Sequence, residues 1–394
     1  MNLLSRKACV LCTGCPESRI DSTRVQNFLI ENGWSIANEL EEADLILFRA
    51  CGLTNNQVEN SIQVIRRLKA KKKENAKLIV WGCLPKINRK ALRAVYNGVT
   101  FGENEIEVLD KILEAKKSIV EAMANSCMPL FKLERPGIYR FLEKVNSLLF
   151  KKFWIAGNES VFKIKVSTGC LDSCSFCSVC KSRGKVKSKS IEDIVAEFQD
   201  GLEKGFRYFS LLATDIGAYG RDLGCNLVDL LVELTKEKGD YKIGLRNVNP
   251  YHLKRMFEDL RPVFASGKIW YLSSAVESGS NRILKRMRRR YKVEDFIRCF
   301  RILNNEHPNI YLTTQIMVGF PTETNEDFQL TKHLTNNLKL DLVEVYKFSP
   351  NKGTSAAKMV GQVPERIKVS RFRQLYLLTA FQHPLRKLRN IFCS

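Results

Sequence analysis

The stretch Cys170-Leu171-Asp172-Ser173-Cys174-Ser175-Phe176-Cys177 constrains this 394-residue chain more than any other. It follows Gly169 at the end of a predicted strand, so three thiolates share one short loop. Cysteines grouped in this way hold three irons of a [4Fe–4S] cubane. The fourth iron is then left without a protein ligand, and an open coordination position separates a catalytic metal centre from a structural one. Spacing alone leaves two other closures open: a zinc site, and an electron-transfer cluster completed by Cys180.

The surrounding composition fits metal chemistry. Thirteen cysteines occur in a chain with no apolar run near the roughly 20 residues that span a bilayer. Near the start, Arg6 and Lys7 interrupt any signal-type apolar core. The expectation is a cytoplasmic protein with no membrane contact, whose cysteines serve metal or redox chemistry rather than disulfides. Lys and Arg number 64 against 42 Asp and Glu, a net charge of +22 that favours a polyanionic partner.

Hydrophobic periodicity predicts an α/β chain. Residues 1–115 alternate predicted strands Ala8–Cys12, Leu45–Arg49, Leu78–Gly82 and Val99–Phe101 with helices Ser22–Asn32 and Val58–Lys73. This is the pattern of an open parallel sheet covered by helices. Residues 116–160 lose the rhythm and read as a linker with one helix near Tyr139–Phe150. From 161 to 394 the alternation resumes, with strands Phe162–Ser167, Tyr208–Ala213, Lys242–Asn247, Ile269–Val276, Tyr311–Val318 and Leu342–Phe348. Six strand–helix units suit a partial (β/α)6 barrel better than a closed eight-fold one. A short basic extension ends the chain.

Three more cysteines stand apart in sequence but alike in context. Gly14-Cys15, Ala50-Cys51 and Gly82-Cys83 each follow a predicted parallel strand, and in an open α/β sheet those ends line one ligand-binding edge. On this geometry alone, a second cluster and unreactive buried thiols are equally served.

The Cys170–Cys177 block, with Phe176 before its last cysteine, resembles the radical S-adenosylmethionine (SAM) superfamily. That resemblance implies SAM chelated to the open iron, reductive cleavage to a 5′-deoxyadenosyl radical, and Phe176 beside the adenine. The N-terminal segments Gly14-Cys15-Pro-Glu-Ser-Arg-Ile-Asp21-Ser22, Ala43-Asp44-Leu45-Ile46 leading to Cys51, and Ile79-Val80-Trp81-Gly82-Cys83 are similar to the methylthiotransferases. In that family the three cysteines bind an auxiliary [4Fe–4S] cluster carrying the sulfur to be transferred, which implies this role for Cys15, Cys51 and Cys83. Cys9 and Cys12 depart from the family pattern.

The resemblance runs through most of the chain. Arg183-Gly184, Thr214-Asp215 to Asp222, Arg246-Asn247-Val-Asn249-Pro250, Glu277-Ser278-Gly279-Ser280, Leu284 to Tyr291 and Met317 to Thr324 match successive family segments, as do Phe348-Ser349-Pro350 and Ala356 to Met359. Those around Asp215 are similar to enzymes acting on threonylcarbamoyladenosine in tRNA. Strand C-terminal ends face a barrel mouth. There Asp215, Arg246, Glu277 and Ser278 have hydrogen-bonding groups suited to SAM, and Gly319 admits a close approach to the adenine. Lys189 stands where the family has arginine. Ser273 to Val276 replace its His-x-Pro pattern, and Glu277 its glutamine. The chain ends soon after Met359, short of the family's tRNA-binding β-barrel.

The resemblance implies methylthiolation of a tRNA adenosine at C2 beside the anticodon, with a low-potential electron donor and a sulfur donor as partners. Basic runs at Lys71–Lys73, Lys181–Lys189 and Arg286–Arg290 suit RNA phosphates. The competing expectations are the same chemistry on a peptide or ribosomal protein, and a non-catalytic two-cluster electron carrier.

Overall fold

The structure is a computed structural model that describes residues 6–14, 16–122 and 161–392. Cys15 and the predicted helix Tyr139–Phe150 lie outside the described residues. By contacts the chain forms two compact units. One is Met1–Lys165 with Lys181–Gly184 and Gln199–Phe209, and the other is Val166–Cys180, Lys185–Phe198 and Ser210–Ser394.

The N-terminal sheet has five strands: β1 (Lys7–Cys12), β2 (Ser35–Ile36), β3 (Leu45–Ala50), β4 (Lys77–Gly82) and β5 (Thr100–Gly102). Their order is β2-β1-β3-β4-β5, and every pair is parallel. Strand side chains alternate between faces, so the apolar runs feed two cores. Cys9, Leu11, Ile46, Phe48 and Val80 pack with Val64, Ile65 and Leu68 of the helix Asn55–Lys71. Ala8, Val10, Leu45, Leu47, Ile79 and Trp81 pack with Val25, Phe28 and Leu29 of the helix Pro16–Glu31.

That first helix starts six residues earlier than the predicted Ser22, at Pro16. Proline suits a helix N-terminus because its fixed φ and missing N–H cost nothing there. The second helix starts at Asn55, capped by Thr54, whose hydroxyl accepts from Gln57 N at 3.2 Å.

A second sheet has six strands in the order β13-β12-β11-β10-β9-β6. These are β6 (Val161–Lys165), β9 (Tyr208–Leu212), β10 (Lys242–Leu245), β11 (Ile269–Ser273), β12 (Tyr311–Val318) and β13 (Leu342–Lys347). The pairs β10–β11, β11–β12 and β12–β13 are parallel. Apart from the short hairpin described next, each strand lies beside its predecessor, as consecutive elements joined by short connections usually do. The predicted six strands are all present. A short antiparallel hairpin that the periodicity did not suggest, β7 (Ser167–Thr168) with β8 (Lys187–Ser188), brackets the cysteine loop. No helix among the described residues is long and apolar enough to cross a membrane.

Candidate iron–sulfur and SAM site

After β7, Gly169 takes φ +79°, a left-handed conformation that turns the chain into the cysteine loop. The loop is anchored at its centre. Ser175 N donates to Met287 O at 3.0 Å, Ser175 Oγ to Arg286 O at 2.9 Å, and Ala356 N to Ser175 O at 2.8 Å. The Asp172 carboxylate accepts from Asn249 Nδ2 and from Arg290.

Each of the three sulfurs accepts one N–H donor. Asp172 N reaches Cys170 Sγ at 3.3 Å, Arg289 Nη1 reaches Cys174 Sγ at 3.3 Å, and Val179 N reaches Cys177 Sγ at 3.4 Å. Such bonds stabilise cluster thiolates and tune their potential. Among the described residues no three His, Cys, Asp or Glu side chains converge closely enough for a single ion. Four-coordinate zinc needs sulfurs about 3.8 Å apart, from Zn–S bonds of about 2.3 Å. A cubane instead takes each thiolate at a separate iron and requires wider spacing. Donor type, loop placement and one N–H per sulfur all fit a cluster. Cys180 Sγ donates to Asp172 O at 2.9 Å and also hydrogen-bonds Cys170.

The strand ends supply further groups. Asp215, after β9, is 4% exposed; its Oδ1 accepts from Gly217 N at 3.0 Å and Asn249 N at 3.2 Å. Its Oδ2 has no hydrogen-bond partner among the described residues, and burial pushes the carboxyl up to about 7. Glu277, after β11, has φ +63° and pairs in register with Ile316. Burial raises its carboxyl to about 7, against the opposing pull of Arg289. Arg246 follows β10, with its backbone N bonded to Leu211 O at 3.3 Å.

Ser278 is fully buried and already occupied, with Oγ 3.4 Å from Thr331 Oγ1 of the helix Asn325–Asn337 and accepting from Ser280 N at 3.2 Å. Gly319 takes φ +75°, and its N–H donates to Glu323 Oε2 at 2.7 Å. Phe176 meets Phe320 edge-on at 6.5 Å, so the cysteine loop abuts the end of β12.

Sequence reasoning missed Arg289 and His252. The basic run Arg286–Arg290 marks the region. Arg288 at φ +61° then breaks the local path, and Arg289 turns inward to Cys174 Sγ, Tyr291 Oη and Ala275 O. His252 is 3% exposed, 3.5 Å from Asp215 Oδ2, and burial pushes it down to about 4.

In the N-terminal unit, Cys51 and Cys83 are 4% and 2% exposed and follow β3 and β4, whose ends pair at Ala50 and Gly82. Gly82, at φ +106°, swings the chain into the helix Cys83–Ile87. Cys83 Sγ donates to Glu103 Oε1 at 3.4 Å. Cys12, ending β1, pairs in register with Arg49.

A three-cysteine loop at the strand ends of a six-stranded α/β sheet, each sulfur backed by an N–H donor, fits an iron–sulfur centre, and the comparisons give the class as radical SAM. Residues 164–335 match the Radical SAM superfamily, and residues 7–102 match Uncharacterized protein family UPF0004. The chain is 32% identical over 365 residues to the "Probable threonylcarbamoyladenosine tRNA methylthiotransferase" of Archaeoglobus fulgidus, covering 92% of this chain and 80% of that one. It is 31% identical to the "Ribosomal protein uS12 methylthiotransferase RimO" of Thermus thermophilus, covering 93% and 81%. Its fold is similar to the radical SAM methyltransferase TsrM from Kitasatospora setae, with a TM-score of 0.61 at 12% identity, over 89% of this chain and 77% of that one.

The chain belongs to the radical SAM methylthiotransferase family. It is therefore an enzyme of that class, and membership implies a [4Fe–4S] cluster and SAM.

Proposed function

We propose that this enzyme inserts a methylthio group at C2 of N6-threonylcarbamoyladenosine in tRNA, next to the anticodon, working in the cytoplasm. Cys170, Cys174 and Cys177 hold the SAM-cleaving cluster. Cys15, Cys51 and Cys83, in an N-terminal domain over residues 1–115, hold a second cluster that carries the sulfur. A low-potential electron donor and a sulfur donor complete the partners.

Cys170, Cys174 and Cys177 would hold the first cluster, which would supply one-electron reduction of the SAM sulfonium as the source of reactivity toward an unactivated C–H. The chain's own residues prepare that event. Arg289 holds a buried positive charge against Cys174 Sγ. Phe176 and Phe320 make an apolar wall beside the loop. Asp215 Oδ2, which makes no hydrogen bond among the described residues and lies 3.5 Å from His252 Nε2, is an acceptor for a SAM hydroxyl or amino group, and Glu277 offers a second. Arg246 and Gly319 line the same strand ends.

The observation that favours RNA is an aromatic–guanidinium array beside the cysteine loop. The Arg290 guanidinium carbon lies 4.1 Å from the Tyr251 ring centroid and that of Arg255 lies 5.5 Å away, with Arg255 Nη1 donating to Tyr251 Oη at 2.7 Å. A cavity of about 300 Å³, lined by Leu171, Asp172, Ser173, Arg288, Arg289 and Arg290, adjoins it. Aromatic faces flanked by cations are how single-stranded nucleic acid is held. The net charge of +22 points the same way.

Mass spectrometry of tRNA nucleosides from cells lacking the chain tests the proposal. Loss of 2-methylthio-N6-threonylcarbamoyladenosine supports it, and an unchanged level excludes it. A ribosomal-protein substrate is the second reading, favoured by the comparable identity to the uS12 enzymes. It predicts unchanged tRNA and a missing methylthio mass on a ribosomal protein.

A further inference from the structure

Strands β12 and β13 pair in register, with Gln315 opposite Glu344 and Met317 opposite Tyr346. Side chains alternate between the two faces of a strand. Ile316, Val318 and Val345 are buried on one face, so Gln315, Met317, Glu344 and Tyr346 share the other. Strands packed on both faces read as continuous apolar runs. This face instead carries an amide, a carboxylate and a phenol, and Tyr346 is 50% exposed.

The polar groups are organised around one oxygen. Glu344 Oε2 accepts from Gln315 Nε2 at 2.9 Å and from Tyr346 Oη at 3.1 Å. Glu344 Oε1 takes no hydrogen bond among the described residues. The nearby donors are thus spent on Oε2, and what remains on offer is an oriented acceptor oxygen beside an aromatic face. The array also adjoins the strand ends described above. Glu277 N donates to Gln315 O at 2.9 Å and Met317 N to Glu277 O at 2.9 Å, which docks Glu277 against β12. Glu277 and Arg246 both lie within electrostatic reach of the Tyr346 hydroxyl.

We propose that Tyr346 and Glu344 form the subsite for the reacting base, the ring of Tyr346 stacking on it and Glu344 Oε1 accepting the N–H of its exocyclic nitrogen. This rests on the reading of the substrate as a tRNA adenosine and names where that base docks. A half-exposed ring is a stacking face for any planar base. An ionised carboxylate only accepts, so it selects a base that presents a donor, and N6 of the adenosine carries one. The bond it makes is charge-assisted. Flanking nucleotides are left to the Tyr251 array.

The test uses the full chain loaded anaerobically with iron and sulfide, given SAM and a reductant. Two anticodon stem-loops are compared, one carrying N6-threonylcarbamoyladenosine and the other its N6-methylated analogue, which lacks the N6–H. Steady-state constants are measured for wild type, Glu344→Leu, Tyr346→Ala and Tyr346→Phe. Wild type prefers the first stem-loop by about tenfold or more in kcat/KM, and Glu344→Leu shrinks that preference to within about threefold. Tyr346→Ala raises the stem-loop KM about tenfold, whereas Tyr346→Phe keeps the ring and stays within about threefold. A stem-loop KM and a preference that no variant moves overturn the inference and leave the tRNA reading intact. A raised KM for SAM in place of the stem-loop KM assigns the array to SAM and also overturns it. Loaded wild type that cleaves SAM but modifies neither stem-loop overturns the tRNA reading, and the inference with it. Should Glu344→Leu not fold, the contrast between Tyr346→Ala and Tyr346→Phe decides alone, and equal KM values overturn the inference.

Discussion

Arg289 Nη1 donates to Cys174 Sγ at 3.3 Å across 115 residues of sequence, from a side chain only 7% exposed. The same guanidinium reaches Ala275 O at 3.0 Å and lies over Tyr291 at 5.2 Å, so its position is over-determined. A ligand sulfur with such a partner is held in orientation and made a weaker base.

Removing that partner loosens the cluster. Arg289→Ala shortens the lifetime of the cluster absorbance in air by about tenfold or more, within the 10–100-fold range for groups behind metal ligands. Arg289→Lys recovers part of it. An unchanged decay in both variants contradicts the assigned role.

The two cysteine sets separate by product. Cys174→Ala abolishes 5′-deoxyadenosine formation from SAM under reducing conditions. Cys51→Ala or Cys83→Ala leaves that reaction within about threefold but eliminates methylthiolated product, because radical generation needs only one open iron. Chromatography of both products on the same samples checks the split. Loss of SAM cleavage in Cys83→Ala would merge the two roles.

Acid stability carries a signature of Asp327. Burial works to raise its carboxyl, but hydrogen bonds from Arg282, Ser280 and Thr324 prevail and hold it down to about 2, against an ordinary 3.8. The stabilisation is complete above pH 4 and disappears as pH falls through about 2, an effect on the order of 2 kcal/mol. Asp327→Asn therefore lowers unfolding free energy at pH 6 by about that much, and the gap to wild type shrinks at pH 2.5. Urea denaturation at the two pH values measures it, and an equal gap at both rules the linkage out.

The Tyr251 array makes a claim about RNA. Tyr251→Ala weakens binding of an anticodon stem-loop by about 1–3 kcal/mol, the range for a lost stacking face. Arg255→Ala lowers the slope of log K against log salt by about 0.7–0.9. Fluorescence anisotropy over a salt series reads both, and binding unaffected by either change places the RNA elsewhere.

Much of this architecture could be read from the chain. Leu45-Ile46-Leu47-Phe48 and Leu78-Ile79-Val80-Trp81 announce buried strands by composition alone, the Cys170–Cys177 loop stands out by its spacing, and Cys15, Cys51 and Cys83 are singled out only by the family resemblance. What escaped depends on long-range geometry. The two-residue strand Ser35–Ile36 is too short to show a period. The fixing of Asp172 by Asn249 and Arg290 joins residues 77 and 118 apart. Which of Arg288, Arg289 and Arg290 turns inward is settled by one left-handed residue, Arg288, and nothing in the run of like charges distinguishes them. Buried Arg49, paired with Asp21 and Glu103, did carry a signal, being a charge inside an otherwise apolar strand, where burial without a partner is prohibitive.

The register that places Ala50 opposite Gly82 has a consequence for how the protein matures. Cys51 and Cys83 become neighbours only after β3 and β4 have zipped together, so under the proposed cluster assignment iron capture there would wait on completion of the sheet. The loop from Cys170 to Cys177 needs no such prior event, since its thiols are close along the backbone whether or not the chain has folded. On that assignment, metal binding would be coupled to folding at the first location and separable from it at the second, which would make the order of loading a property of topology rather than of affinity.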